Sequence, residues 1–107
     1  MPIDLVLRGG MVVDGTGAPA YGADVGIHGD RIVAVGTVSA TGDTELDASG
    51  CVVAPGFVNV LSHAYGTLQK DPRGLSDLYQ GVTTEVFGEG YSLGPVAGRL
   101  EELKVPE

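Results

Sequence analysis

The first 54 residues are cut by glycine-bearing turns into short segments whose apolar residues recur with a period of two. That pattern admits strands and leaves no stretch for an amphipathic helix. Ile3, Leu5 and Leu7 alternate with Asp4 and Val6, as in a half-buried strand. Gly9-Gly10 is expected to turn that strand into a second one at Met11-Val12-Val13, and Asp14 to Pro19 to form a loop. Residues 23–28 and 31–35 flank Gly29-Asp30, the sequence of a two-residue hairpin whose glycine supplies a positive φ. Val38 to Thr44 reads as an exposed loop, followed by short strands at Glu45 to Ala48 and Cys51 to Ala54. The expectation is a small antiparallel sheet or sandwich built from five or six strands.

At Pro55 the pattern changes. An apolar strand running towards Leu61 is followed by a loop through Asp71-Pro72-Arg73-Gly74, a short helix at Leu75 to Gln80 and a strand at Val82 to Phe87. Strand, helix, strand predicts a parallel pair joined by a right-handed crossover. A second helix is expected after Pro95, where Val96, Leu100 and Leu103 share a face. The chain therefore reads as a strand-rich mixed α/β protein, residues 1–54 forming one β-domain and residues 55–107 a second piece.

Charge and composition exclude several partners. A formal net charge of -8 with no basic patch argues against nucleic acid. The apolar runs fall far short of the ~20 residues that span a bilayer, and Met1-Pro2-Ile3-Asp4 is not the start of a signal peptide. One cysteine, Cys51, precludes an internal disulfide, fits a cytoplasmic location and reads as a small core residue. Four Tyr, two Phe and no Trp make a stacking platform for bases or sugars an unsuitable reading.

The chemistry centres on Pro55-Gly56-Phe57-Val58-Asn59-Val60-Leu61-Ser62-His63. As a buried strand it projects Asn59, Leu61 and His63 to one side. His63 reads either as a strand-end histidine bonded to a neighbour or as a ligand. No Ser-His-Asp arrangement can be assembled, because Ser62 and His63 face opposite ways. Gly88-Glu89-Gly90 lacks the spacing and the Lys of a phosphate loop. His28 is expected at the surface, and Asp14 and Asp24 in turns as hydrogen-bond acceptors.

The phrases Leu7 to Gly17, Ala23-Asp24-Val25 and Gly29 to Ile32, taken with Pro55-Gly56-Phe57, resemble the opening β-domain of the metal-dependent amidohydrolases. The run Gln80 to Pro95 resembles the second barrel strand and following loop of the D-aminoacylase (N-acyl-D-amino-acid deacylase) branch. The resemblance implies that residues 55–107 begin a (β/α)8 barrel, which needs roughly 250 residues when closed, so that the chain is the truncated front of a longer hydrolase of carbon–nitrogen amide bonds. In that family the first strand carries a His-x-His metal pair preceded by an acid. Here Leu61 stands at the first histidine and Asn59 at the acid, leaving His63. Glu89 falls at a zinc-binding cysteine once a one-residue gap is allowed, with Gly90 the neighbouring choice. The resemblance thus implies His63 and Glu89 as metal contacts, zinc and a small-molecule substrate in the longer parent, and further histidines and a catalytic aspartate beyond Glu107. The chain alone is expected to hold no cofactor, to lack catalysis and to self-associate. The alternative is a non-catalytic structural or binding module, or an inactive relative.

Overall fold

The computed structural model describes residues 2–89. The chain divides into two compact units, Met1–Pro55 and Gly56–Glu107. The helix expected after Pro95 lies outside the described residues.

The first unit is one five-stranded mixed sheet, in which β1 (Leu5–Val12) is central. On one side β1 pairs antiparallel with β2 (Tyr21–His28), which pairs antiparallel with β3 (Arg31–Gly36). The β2–β3 hairpin turns at Gly29-Asp30 as expected, with Gly29 at φ +58°. On the other side β1 pairs in parallel with both β4 (Thr44–Asp47) and β5 (Val52–Val53). The expectation of a small antiparallel sheet or sandwich is therefore corrected to a single mixed sheet. The apolar pattern of a half-buried strand is the same for either direction of pairing, so periodicity alone does not reveal these parallel neighbours.

Gly9-Gly10 does not turn the chain. Leu7 faces Val25 and Gly10 faces Ala23, so β1 takes three steps where β2 takes two. The additional residue makes a bulge, with Gly9 at φ +66°, and β1 continues beyond it as one strand. The bulge lies where β4 gives way to β5 along the edge of β1. A Cβ on Gly10 would sit 2.5 Å from Val53 Cγ2 and 3.2 Å from Ala48 Cβ, so only glycine admits this close approach.

The apolar core of this unit contains Val6, Val12, Val25, Val38 and Ala48. Val38 is thus buried, although its segment reads as an exposed loop. The explanation is Arg8, whose guanidinium reaches the carbonyls of Val38 and Ala40 and holds that segment against the sheet. Cys51 is exposed rather than in the core. It stands just before β5, outside the alternation that would turn it inward.

The second unit contains β6 (Phe57–Asn59), α1 (Tyr65–Lys70), α2 (Leu75–Leu78) and β7 (Val82–Glu85). β6 and β7 pair in parallel, as expected of strand, helix, strand. The first strand stops at Asn59 and the chain bends at Val60-Leu61. It is also not buried: Phe57, Val60 and Leu61 are 61%, 73% and 57% exposed, because two strands leave much of their apolar surface uncovered. α1 departs from the expected loop; it contains Gly66 and buries no residue, so it carries no apolar stripe to announce it. It is anchored at its start by Tyr65, whose ring meets Phe87 edge to face at 5.5 Å. α2 is shorter than expected, and β7 ends at Glu85 rather than Phe87. Among the described residues no helix is long and apolar enough to cross a membrane.

Candidate functional site at the ends of β6 and β7

Parallel strands deliver their carboxyl ends to the same edge of a sheet, and here the pairing persists beyond both strands. Val86 N–H donates to Asn59 O at 2.9 Å, and Ser62 N–H donates to Val86 O at 3.0 Å. Ser62 is buried, and its hydroxyl oxygen accepts from Ala64 N–H at 3.2 Å. These bonds pin the bend on both sides of His63. After β7 the chain turns at Gly88, whose φ of +125° suits glycine, and presents Glu89.

The result is a contact between the two residues singled out in the sequence. His63 Nε2 lies 2.9 Å from Glu89 Oε2, with the side chains 70% and 59% exposed. An imidazole nitrogen and a carboxylate oxygen are both zinc donors, and both are open to solvent. The donor set is nevertheless short: a catalytic zinc takes three protein ligands, and Leu61 offers no donor. Among the described residues no group of three or more His, Cys, Asp and Glu side chains is arranged to hold a metal ion.

Asn59, Leu61 and His63 do not continue as one strand face, because β6 ends at Asn59. Asn59 Oδ1 instead accepts from Leu61 N–H at 3.2 Å and ties the bend together. Sequence reasoning passes over Glu85. This last residue of β7 stands opposite Asn59 in the parallel register, and neither carboxylate oxygen, both buried, has a hydrogen-bond partner among the described residues. The available signal is a charged residue inside the otherwise uncharged run Val82 to Phe87.

The remaining polar candidates are scaffold. His28 Nδ1 lies 3.0 Å from Asp4 Oδ1, so the histidine expected at the surface is half-buried and paired. Asp4 Oδ2 also accepts Gly29 N–H at 2.6 Å; that backbone bond, then His28, holds the Asp4 carboxyl below the usual carboxylate range. Asp14 makes the expected turn, accepting from the Thr16 hydroxyl at 2.6 Å and Thr16 N–H at 3.0 Å, which lower its pKa.

Asp24 departs from the turn reading, since it lies within β2. It accepts from Gly9 N–H at 2.9 Å, Val38 N–H at 3.3 Å and Arg8 Nη1 at 3.2 Å, and its pKa is lowered in that order of cause. Glu45 meets the other edge of the same guanidinium, with Arg8 Nη2 at 2.5 Å and Nε at 3.2 Å; Arg8 is the main cause of its lowered pKa.

No protein-family model matches the chain. The D-aminoacylase of Alcaligenes xylosoxydans xylosoxydans is 45% identical over 98 residues, covering 90% of this chain and 20% of that protein. A crystal structure of D-aminoacylase, said to define a novel subset of amidohydrolases, superposes with a TM-score of 0.82 at 45% identity. It covers 91% of this chain and 21% of its own. An N-acyl-D-glutamate deacylase from Bordetella bronchiseptica, complexed with zinc and a phosphonate mimic of the tetrahedral intermediate, gives a TM-score of 0.81 at 38% identity, covering 89% and 20%. The chain is a member of the amidohydrolase family. Within it the chain belongs to the D-aminoacylase branch, matching the N-terminal part of those proteins and spanning about a fifth of their length.

Proposed function

We propose that this chain is the front of a metal-dependent hydrolase that removes the acyl group from N-acyl-D-amino acids. The His63–Glu89 contact carries the reading: two metal-donor side chains, delivered by neighbouring parallel strands, meet where barrel enzymes do their chemistry. In this reading residues 1–54 are the β-domain and residues 55–107 open a (β/α)8 barrel with β6 and β7 as its first strands. The 45% identity to D-aminoacylase over 90% of the chain supports the substrate class.

His63 and Glu89 would hold zinc through Nε2 and a carboxylate oxygen. When bound, such a metal polarises the scissile carbonyl and lowers the pKa of a water molecule. The chain itself sets the spacing of the two donors through the Ser62–Val86 and Val86–Asn59 backbone bonds, and the turn at Gly88 aims the carboxylate at the imidazole. Leu61 favours a second reading. An aliphatic side chain stands where the family's histidine belongs, as in a relative that has lost metal chemistry and serves as a structural or binding module.

Zinc titration and acyl-amino-acid hydrolysis by a longer form carrying further barrel strands separate the readings. The hydrolase reading expects bound zinc and amide cleavage, both weakened far more by Glu89→Ala than by His28→Ala. Equal effects of the two substitutions remove Glu89 from the site, and a metal-free, inactive longer form establishes the second reading.

A further inference from the structure

Glu85 is a carboxylate at the site-bearing end of β7, and the proposed mechanism gives it no task. Its two oxygens are each almost fully shielded from water, yet no hydrogen-bond donor meets either among the described residues. A charge removed from water without a partner opposes folding. An apolar residue would serve a purely structural strand better, and the same strand offers two examples of uncharged polar alternatives, Thr83 and Thr84. Its register partner Asn59 does not help: the Asn59 side-chain amide, the donor that could serve, makes no hydrogen bond to either Glu85 oxygen. Both residues are the last of their strands and project to one side of the parallel pair.

We propose that the Glu85 carboxylate is a prepared half of an ion pair, the acceptor for a cationic nitrogen group that enters at the carboxyl end of β7. The occupant is a guanidinium or ammonium, since such a group neutralises the charge and supplies N–H donors to both oxygens. Two sources offer that chemistry: a small cationic ligand, or an Arg or Lys side chain from further barrel strands of a longer form. The inference rests on the barrel reading for the location of this end of β7 and for the second source. Its test needs neither metal nor turnover, so a failure at His63 and Glu89 is distinguishable from a failure here.

The test is thermal unfolding of the 107-residue chain at pH 7 with Glu85→Leu and Glu85→Gln. Relief of an unpaired buried charge is expected to raise the Tm of the Leu variant by roughly 4–8 °C, with a smaller rise for Gln. A Tm that falls or stays unchanged in both variants shows that Glu85 already has what it needs and overturns the proposal. Titration with methylguanidinium, followed by amide chemical shifts, then assigns the source. Saturable shifts at Glu85 and Val86 that vanish in Glu85→Gln indicate a small ligand. Where those shifts are missing, the same substitution is made in a longer form carrying further barrel strands: a fall in Tm there assigns the partner to a side chain of the polypeptide, and a rise there as well overturns the proposal.

Discussion

Asp24 accepts the N–H of Gly9, 2.9 Å away, at the residue whose φ of +66° bulges β1. The bulge is therefore held from the neighbouring strand, and the same carboxylate receives Arg8, which in turn ties down Glu45 and the carbonyls of Val38 and Ala40. A local backbone irregularity and a charged cluster form one unit that joins β1, β2, β4 and the segment after β3.

Gly9→Ala is expected to destabilise the chain by about 1–2 kcal/mol, since an L-residue is forced into the left-handed region. A Cβ there would also come within 3.3 Å of Ser49 Oγ. Gly22→Ala, in β2 with open space around its Cβ and no positive φ, is expected to be neutral or slightly stabilising. Urea midpoints of the two variants compared with the parent measure the difference.

Arg8→Ala is expected to lower Tm more than Arg73→Ala. Arg8 bridges separate strands and a loop, whereas Arg73 pairs with Asp71 two residues away on the surface. Arg8→Lys is expected to recover only part of the loss, because an ammonium cannot reproduce the planar fork that meets Asp24, Glu45 and two carbonyls together. Differential scanning calorimetry on the three variants decides this.

Acid is expected to weaken the first unit in a defined window. Asp4, Asp24 and Glu45 all have folded pKa values below their ordinary values of 3.8, 3.8 and 4.5. Between the folded and unfolded values the unfolded chain binds more protons, so stability rises with pH there. The contribution is fully present above the ordinary values and is lost as pH falls through the lowered ones. Asp24→Asn is expected to flatten the dependence of stability on pH below about pH 4; an unchanged slope would show that Asp24 is not a source of the effect.

Residues 1–107 by themselves are expected neither to hold stoichiometric zinc nor to cleave N-acyl-D-amino acids. His63 and Glu89 supply two donors, and a catalytic zinc takes three with a position left for water. Calorimetric titration with zinc measures this directly, and tight one-to-one binding would reveal a third ligand elsewhere in the chain.

The same chain is expected to self-associate. Phe57, Val58, Val60 and Leu61 are exposed around a parallel pair that has two strands among the described residues, and such pairs present both apolar surface and unpaired backbone edges. Sedimentation that shows a monomer across a wide concentration range would refute this.

The β2–β3 hairpin is legible because it is a local decision: alternating residues on both sides of Gly29-Asp30 and a single positive φ settle it. The parallel pairing of β6 with β7 is likewise legible from the strand–helix–strand order. His63 and Glu89 stand out in the sequence as a pair of donor types, but their 2.9 Å contact depends on where the ladder continues past β6 and β7.

Sequence alone determined that the first half is made of short strands, that glycine occupies the turns, and that donor side chains follow the two later strands. Tertiary structure alone decided that β1 takes β4 and β5 as parallel neighbours, that Gly9 bulges rather than turns, and that Val38 goes inside while Cys51 stays out. It also decided that Glu85 is shielded with no partner among the described residues. The division has a physical cause. Periodicity and turn propensity are properties of adjacent residues, whereas pairing direction, burial and hydrogen-bond satisfaction are set by residues distant in the chain that meet only when it is folded.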